Sequence, residues 1–208
     1  ARNQGIERAK GKYLQFLDSD DTLEPQKIEN QIWELEKSGA DVAVCDFRYE
    51  HVEKEKNRIV TNQGDLYRKL VSGWSISIFT PLIRANLVKN QLRWDERLKL
   101  QQDMDFIFKV MMLAPRYIYT PGAWCNYIQH DGMQISDEYR ITMPQYGRRI
   151  VSLFHFMISL NNELPRGRKI MVVLGILHLA KKAIRYWVAL PLKKIFGESV
   201  VRKITKYA

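Results

Sequence analysis

Apolar and polar positions along the chain follow two rhythms. Tyr13-Leu14-Gln15-Phe16-Leu17 is short, nearly continuous in apolar side chains and bounded by polar residues, the pattern of a buried strand. Ahead of it, Ala1 to Lys10 reads as a short helix with Gly11 as its expected left-handed C-terminal residue. Behind it, Pro25 opens a helix in which Ile28, Ile32 and Leu35 recur at helical spacing and Gly39 marks the stop. Asp41 to Phe47 predicts the next strand, Glu50 to Asn57 a charged loop, and Trp74 to Ile83 a β-prone segment. Asp103 to Leu113 predicts a helix with Phe106, Val110 and Leu113 on one face. Strands alternating with helices imply an α/β fold.

The last quarter changes character. Residues 165–208 hold eleven Lys or Arg against one acid, Glu198, whereas residues 1–164 hold 22 of each sign, so the whole net charge of +10 lies in the tail. Ile170 to Ala180 is apolar but too short to span a bilayer, and Lys181, Lys182, Arg185, Lys193 and Lys194 follow among Tyr186, Trp187 and aliphatic residues. That mixture predicts a basic amphipathic helix on an anionic membrane surface. The competing expectation is a helix packed on its own domain with a solvated basic face. No nucleic-acid module accompanies the charge, so nucleic acid is not an expected partner. The division expected is a catalytic domain over residues 1–164 and a helical tail over 165–208. Composition, at 46% hydrophobic in 208 residues without repeats, is that of one globular core. Cys45 and Cys125 lie in separate apolar runs without CxxC spacing and read as buried thiols of a reducing compartment.

Chemistry enters where the first strand ends. Asp18-Ser19-Asp20-Asp21-Thr22 crowds three carboxylates onto the exit of an apolar run, and such a cluster repels itself unless a cation joins it. Ligands of open α/β sheets bind outside the carboxyl ends of strands, which is where this cluster falls. The residues therefore suggest a metal site for a phosphate-bearing substrate.

The run ARNQGIERAKGKYLQFLDSDD resembles the signature of family 2 glycosyltransferases, nucleotide-sugar-dependent enzymes of the GT-A fold. The resemblance implies the carboxy-terminal part of a GT-A, Rossmann-like nucleotide-diphospho-sugar transferase fold with a basic helical tail. It implies that Asp18 and Asp20 hold Mn²⁺ or Mg²⁺ against the donor diphosphate, and that Arg2, Asn3 and Asp18 bind the donor. Trp94-Asp95-Glu96 followed by Gln102-Asp103 resembles the second signature of the family, which makes Asp103 the catalytic base. Gln102 stands where the family usually has Glu, and with Trp74 it is assigned to the acceptor side. Trp124 to His130 resembles the closing strand, with His130 as a further metal ligand.

The expected activity is metal-dependent, inverting transfer of a sugar from a UDP-linked donor to a glycan or lipid-linked acceptor in cell-surface polysaccharide synthesis, at the cytoplasmic face of the cell membrane. The first βα units of the family, which carry the nucleotide-base pocket, are expected to be missing from the chain. A truncated, non-catalytic membrane- or partner-binding module is therefore the alternative. Asp18-Ser19-Asp20-Asp21-Thr22 also fits the DxDx[TV] element of haloacid dehalogenase-type phosphatases, but no second acidic cluster of GDxxxD type follows.

Overall fold

The computed structural model describes residues 1–51, 56–72, 76–89, 91–129, 143–160 and 164–196. In chain order its elements are α1 (Arg2–Arg8), β1 (Tyr13–Gln15), β2 (Thr22–Leu23), α2 (Lys27–Ser38), β3 (Val42–His51), β4 (Lys56–Val60), α3 (Leu66–Val71), β5 (Pro81–Arg84), α4 (Ala85–Lys89), α5 (Gln102–Leu113), β6 (Tyr117–Gln129), α6 (Met143–Ser159) and α7 (Arg166–Phe196).

The sheet runs β1-β5-β3-β6-β2, with β4 beside β3. Among the described strands only β3 and β6 pair in parallel, from Val42 against Tyr117 to His51 against Gln129; β5 lies antiparallel to both β1 and β3. Val42 to Cys45 are wholly buried because both faces of β3 are covered. Val42 and Val44 enter the large core with Phe47, Phe79, Phe106 and Phe108, while Ala43 enters a smaller cluster with Leu35, Ala40 and Leu82 under α2. This is the alternation of a strand serving two layers.

Several local expectations change. Helix α1 ends at Arg8, with Ala9 in extended backbone, and Gly11 does not take a left-handed conformation. The carbonyl of Ala9 instead accepts from Lys89 Nζ, a contact to α4 invisible in the local sequence. Strand β1 stops at Gln15, and Leu17 is exposed where a buried residue was expected. The charged segment 50–57 is not a simple loop: β3 extends to His51 and β4 returns antiparallel from Lys56, with residues 52–55 outside the described set. Of the β-prone segment 74–83, the described residues 76–80 are irregular backbone in which Ile76, Ile78 and Phe79 are buried, and strand begins at Pro81. Gly39 does cap α2 at φ 65°, and α5 covers its predicted span.

Helix α7 packs against α3, α5 and α6, and its Val172 and Leu179 join the main core. It approaches α5 at Gly175, where an added Cβ would lie 2.9 Å from Phe108 Cζ. Gly175→Leu should therefore destabilise the fold by about 1–3 kcal/mol through overpacking, read as a lowered midpoint in denaturant with an unchanged slope.

Candidate functional site

The acidic turn is built by its neighbours. The amide of Asp21 donates to Asp18 O at 3.2 Å, closing the turn, and the Asp21 carboxylate accepts from the Ile128 amide at 3.3 Å, tying the turn to the end of β6. The rings of Phe16, Trp94 and Phe106 then join the exit of β1 to the start of α5. Phe16 meets both partners edge-on at 5.5 and 5.3 Å, and Trp94 stacks on Phe106 at 4.3 Å. This aromatic bracket brings Asp18 and Asp103 together across 85 residues of chain.

Arg2 sits between them. Its Nη2 donates to Asp18 Oδ1 at 2.8 Å, its Nη1 to Asp103 Oδ1 at 2.9 Å and to Gln102 Oε1 at 3.5 Å, and its guanidinium lies 4.4 Å from the Trp94 ring centre. Asn3 fixes α1 in place: its Nδ2 donates to Trp94 O at 3.1 Å and Glu96 Oε1 at 2.8 Å, and its Oδ1 accepts from the Trp94 amide at 2.8 Å. Four sequence-predicted residues, Arg2, Asp18, Gln102 and Asp103, thus meet in one place, with Asn3 supporting them. Asp20 is exposed in the same turn. His130 and Trp74 lie outside the described residues.

The two acids at the start of α5 divide their roles, because positions two apart point to nearly opposite sides of a helix. Asp103 faces the site half-buried; Asp105 is buried against α6, paired with Lys109 Nζ at 2.7 Å and accepting from Ser152 Oγ at 3.1 Å. Burial pushes the Asp103 carboxyl above its ordinary value, Arg2 pulls it back, and the Asp18 charge raises it again. Asp95 is excluded as a base. Arg97 grips it with Nε at 2.8 Å and Nη2 at 2.7 Å, which holds its pKa at about 2.

Two residues do more than the sequence reading gave them: Asp21, counted there in the acidic cluster without a role of its own, and Gln101, not singled out. Asp21 is 7% exposed, and burial, reinforced by the charges of Asp20, Asp18 and Asp103 and opposed by the Ile128 amide, pushes its carboxyl up to about 7. Its signal was the third acid of the run. Gln101 takes a left-handed backbone at φ 59°, unusual for a residue with a side chain, immediately before Gln102 and Asp103. No local signal marks it.

Asp18 and Asp20 are hard oxygen donors on one turn, the kind of set that Mg²⁺ takes together with substrate phosphates rather than a closed protein cage. Among the described residues there is no group of three or more His, Cys, Asp or Glu side chains that could hold a metal ion. Beside Asn3 and Trp94 a groove of about 660 Å³ opens, bordered by Glu7, Arg93, Glu96, His155 and Ser159.

Residues 1–93 match the family model described as Glycosyl transferase family 2. The succinoglycan biosynthesis protein ExoO of Rhizobium meliloti (strain 1021) is 26% identical over 145 residues, covering 62% of this chain and 41% of that protein. EpsH of Bacillus subtilis (strain 168) is 24% identical over 210 residues, covering 94% and 60%. The chain thus spans about half the length of these relatives. Among solved structures, S. aureus TarS 1–349 in complex with UDP-GlcNAc superposes with a TM-score of 0.61 at 19% identity, over 85% of this chain and 50% of that one. That likeness establishes the GT-A fold, with the helical carboxy-terminal region beside it.

Proposed function

We propose, for a chain that belongs to glycosyl transferase family 2 through its residues 1–93, the transfer of a sugar from a UDP-linked donor to a hydroxyl of a growing glycan or lipid-linked acceptor. The observation that carries this reading is the pair of carboxylates, Asp18 and Asp103, held 2.8 and 2.9 Å from the two Nη atoms of one arginine. Such a clamp sets a donor-side acid and an acceptor-side base at a fixed spacing.

In this reading Asp103 removes the proton of the acceptor hydroxyl as its oxygen attacks the anomeric carbon. The new C–O bond forms as the bond from that carbon to the diphosphate oxygen breaks, and its electron pair leaves with the nucleoside diphosphate, inverting the centre. Asp18 and Asp20 would hold a divalent cation, which neutralises the departing diphosphate when bound. Arg2 keeps Asp103 oriented and ionised before the acceptor arrives. The half-buried carboxyl, raised by burial, is a stronger base than an exposed aspartate. The groove beside Asn3 and Trp94, with Glu7, Glu96, His155 and Ser159, offers hydroxyl-binding groups to a glycan acceptor. The test is calorimetry of UDP and UDP-GlcNAc with Mg²⁺ or Mn²⁺: metal-dependent binding is expected, and metal-independent affinity removes the carboxylate assignment.

The acceptor in this reading is met at an anionic membrane face. No described helix is long and apolar enough to cross a membrane. Yet α7 turns Ile170, Val173, Leu174, Leu177 and Ile184 outward, 42–60% exposed, while its opposite face is in the core. Exposed Arg166, Lys181 and Arg185 flank that stripe. Apolar surface ringed by cations complements anionic lipid, at about 1 kcal/mol per cation near the surface. Because α7 is part of the core, substitution rather than truncation is the test. Leu177→Glu with Ile170→Glu should abolish co-sedimentation with phosphatidylglycerol vesicles, whereas the unaltered chain should bind and weaken with salt.

A further inference from the structure

Behind Gln101, helices α3, α5, α6 and α7 enclose a cavity of about 20 Å³ whose wall includes Gln101, Tyr146, Arg149, His178 and Lys182. The volume admits one water-sized atom group. Three basic side chains line it and, among the described residues, no carboxylate does. Arg149 is buried; its Nη1 donates to Gln101 Oε1 at 3.3 Å, but its Nε has no hydrogen-bond partner among the described residues, and neither has His178 Nε2. Asp105, the acid whose charge reaches Arg149, lies outside the cavity wall; its Oδ2 is bonded to Lys109 and Ser152, and its Oδ1, without a partner among the described residues, makes no hydrogen bond to Arg149. Desolvation depresses both Arg149 and Lys182, and Arg149 depresses Lys182 further. Buried donors left unpaired and cations left unbalanced are both costly, and an anion relieves both costs at once.

A second feature abuts the first. Between α3 and α7 a groove of about 530 Å³ is lined by Tyr67, Val71, Met171 and Leu174, with exposed Asp65 and Arg68 beside them. Val71 and His178 belong to both linings. An apolar groove therefore ends at a cationic pocket.

We infer that groove and pocket together bind an amphiphile with a phosphate headgroup, the lipid-linked acceptor of the reading above. One phosphate oxygen enters the cavity, where Arg149 Nε–H and the His178 imidazole can donate to it; Lys182 balances the remaining charge, and the lipid chain lies along Tyr67, Val71, Met171 and Leu174. The bond from Arg149 to Gln101 couples the headgroup to the turn that opens α5, two residues before Asp103. A headgroup bound here fixes the acceptor on the side of the base. The identity of the amphiphile as acceptor rests on the proposed function; the phosphate site rests on the pocket.

Calorimetry of the whole chain with octyl phosphate, inorganic phosphate and octyl glucoside separates the possibilities. Octyl phosphate should bind at least tenfold more tightly than inorganic phosphate, and octyl glucoside should not bind. Lys182→Ala should weaken octyl phosphate about tenfold or more, Leu174→Ser should weaken octyl phosphate but not inorganic phosphate, and Lys37→Ala, at an exposed position of α2, should change neither. Equal affinity for the two phosphates assigns the pocket to a free anion and overturns the lipid. Failure of both to bind, meaning that the cavity holds only water, or indifference to Lys182→Ala, overturns the site. UDP that competes with octyl phosphate makes the pocket part of the donor site and overturns the acceptor assignment. UDP that fails to bind while octyl phosphate binds overturns the proposed transfer and leaves the phosphate site standing.

Discussion

Asp103→Asn should lower sugar transfer by about 10²-fold or more while leaving donor affinity nearly intact. The amide keeps the shape of the carboxylate and its bond to Arg2 Nη1, but it cannot take the proton of the acceptor hydroxyl. A pH profile sharpens the assignment. The base works only when ionised, and the Asp103 carboxyl is raised by burial and by Asp18, so transfer should fall on acidification with a midpoint above the 3.8 of an ordinary aspartate. Arg2→Ala removes the cation that favours the ionised form, and the acid limb should move to higher pH. A limb that stays in place when Arg2 is removed assigns the titration to another group. Equal loss of donor binding and transfer in Asp103→Asn makes Asp103 structural.

Asp20→Ala should cost roughly tenfold or more in metal-dependent donor affinity, the scale of about 1.4 kcal/mol expected for one lost contact to a charged group. Asp20 is exposed, so its removal leaves the core untouched and the loss reports on ligand binding alone. Asp18→Ala tests the same set but also releases Arg2 Nη2, which is otherwise bonded at 2.8 Å. Part of that loss is therefore a disordered clamp. The ratio of the two effects measures how much Asp18 contributes through Arg2. Titration of UDP with and without Mn²⁺ reads both, and an Asp20→Ala protein with undiminished metal dependence sinks the metal assignment.

The limits of sequence reasoning are seen at particular residues. Asp18, Asp20 and Asp103 stand out in the sequence because a carboxylate after an apolar run or at a helix start is a local signal, whereas the bonds of Asp18 and Asp103 to one arginine are a matter of the fold. The α2 stop at Gly39 and the span of α5 were legible for the same reason: a cap and a period are properties of neighbouring residues. Gly11 misled, because a glycine after a helical run marks a left-handed cap only when nothing else claims the chain, and here Lys89 holds Ala9. The segment 50–57 misled too. Its charges suit a loop, yet the register from Phe47 against Val60 to His51 against Lys56 makes a hairpin, a pairing set by strand partners rather than composition.

The order of residues was enough to specify the α/β class, the acidic turn, the base candidate and a tail carrying all of the net charge, since these depend on spacing over a turn or two of chain. Packing alone placed Arg2 between Asp18 and Asp103, 16 and 101 positions away, and buried Lys27 with its ammonium on Gln31 at 2.7 Å. Packing also set Val172 and Leu179 of α7 into the core with an apolar stripe outward, and it gathered Arg149, His178 and Lys182 around a cavity whose wall has no acid among the described residues. The physical reason is one of range. Periodicity and caps are short-range backbone properties, whereas charge pairing and desolvation depend on which distant elements share a dry volume, and only the folded chain defines that volume.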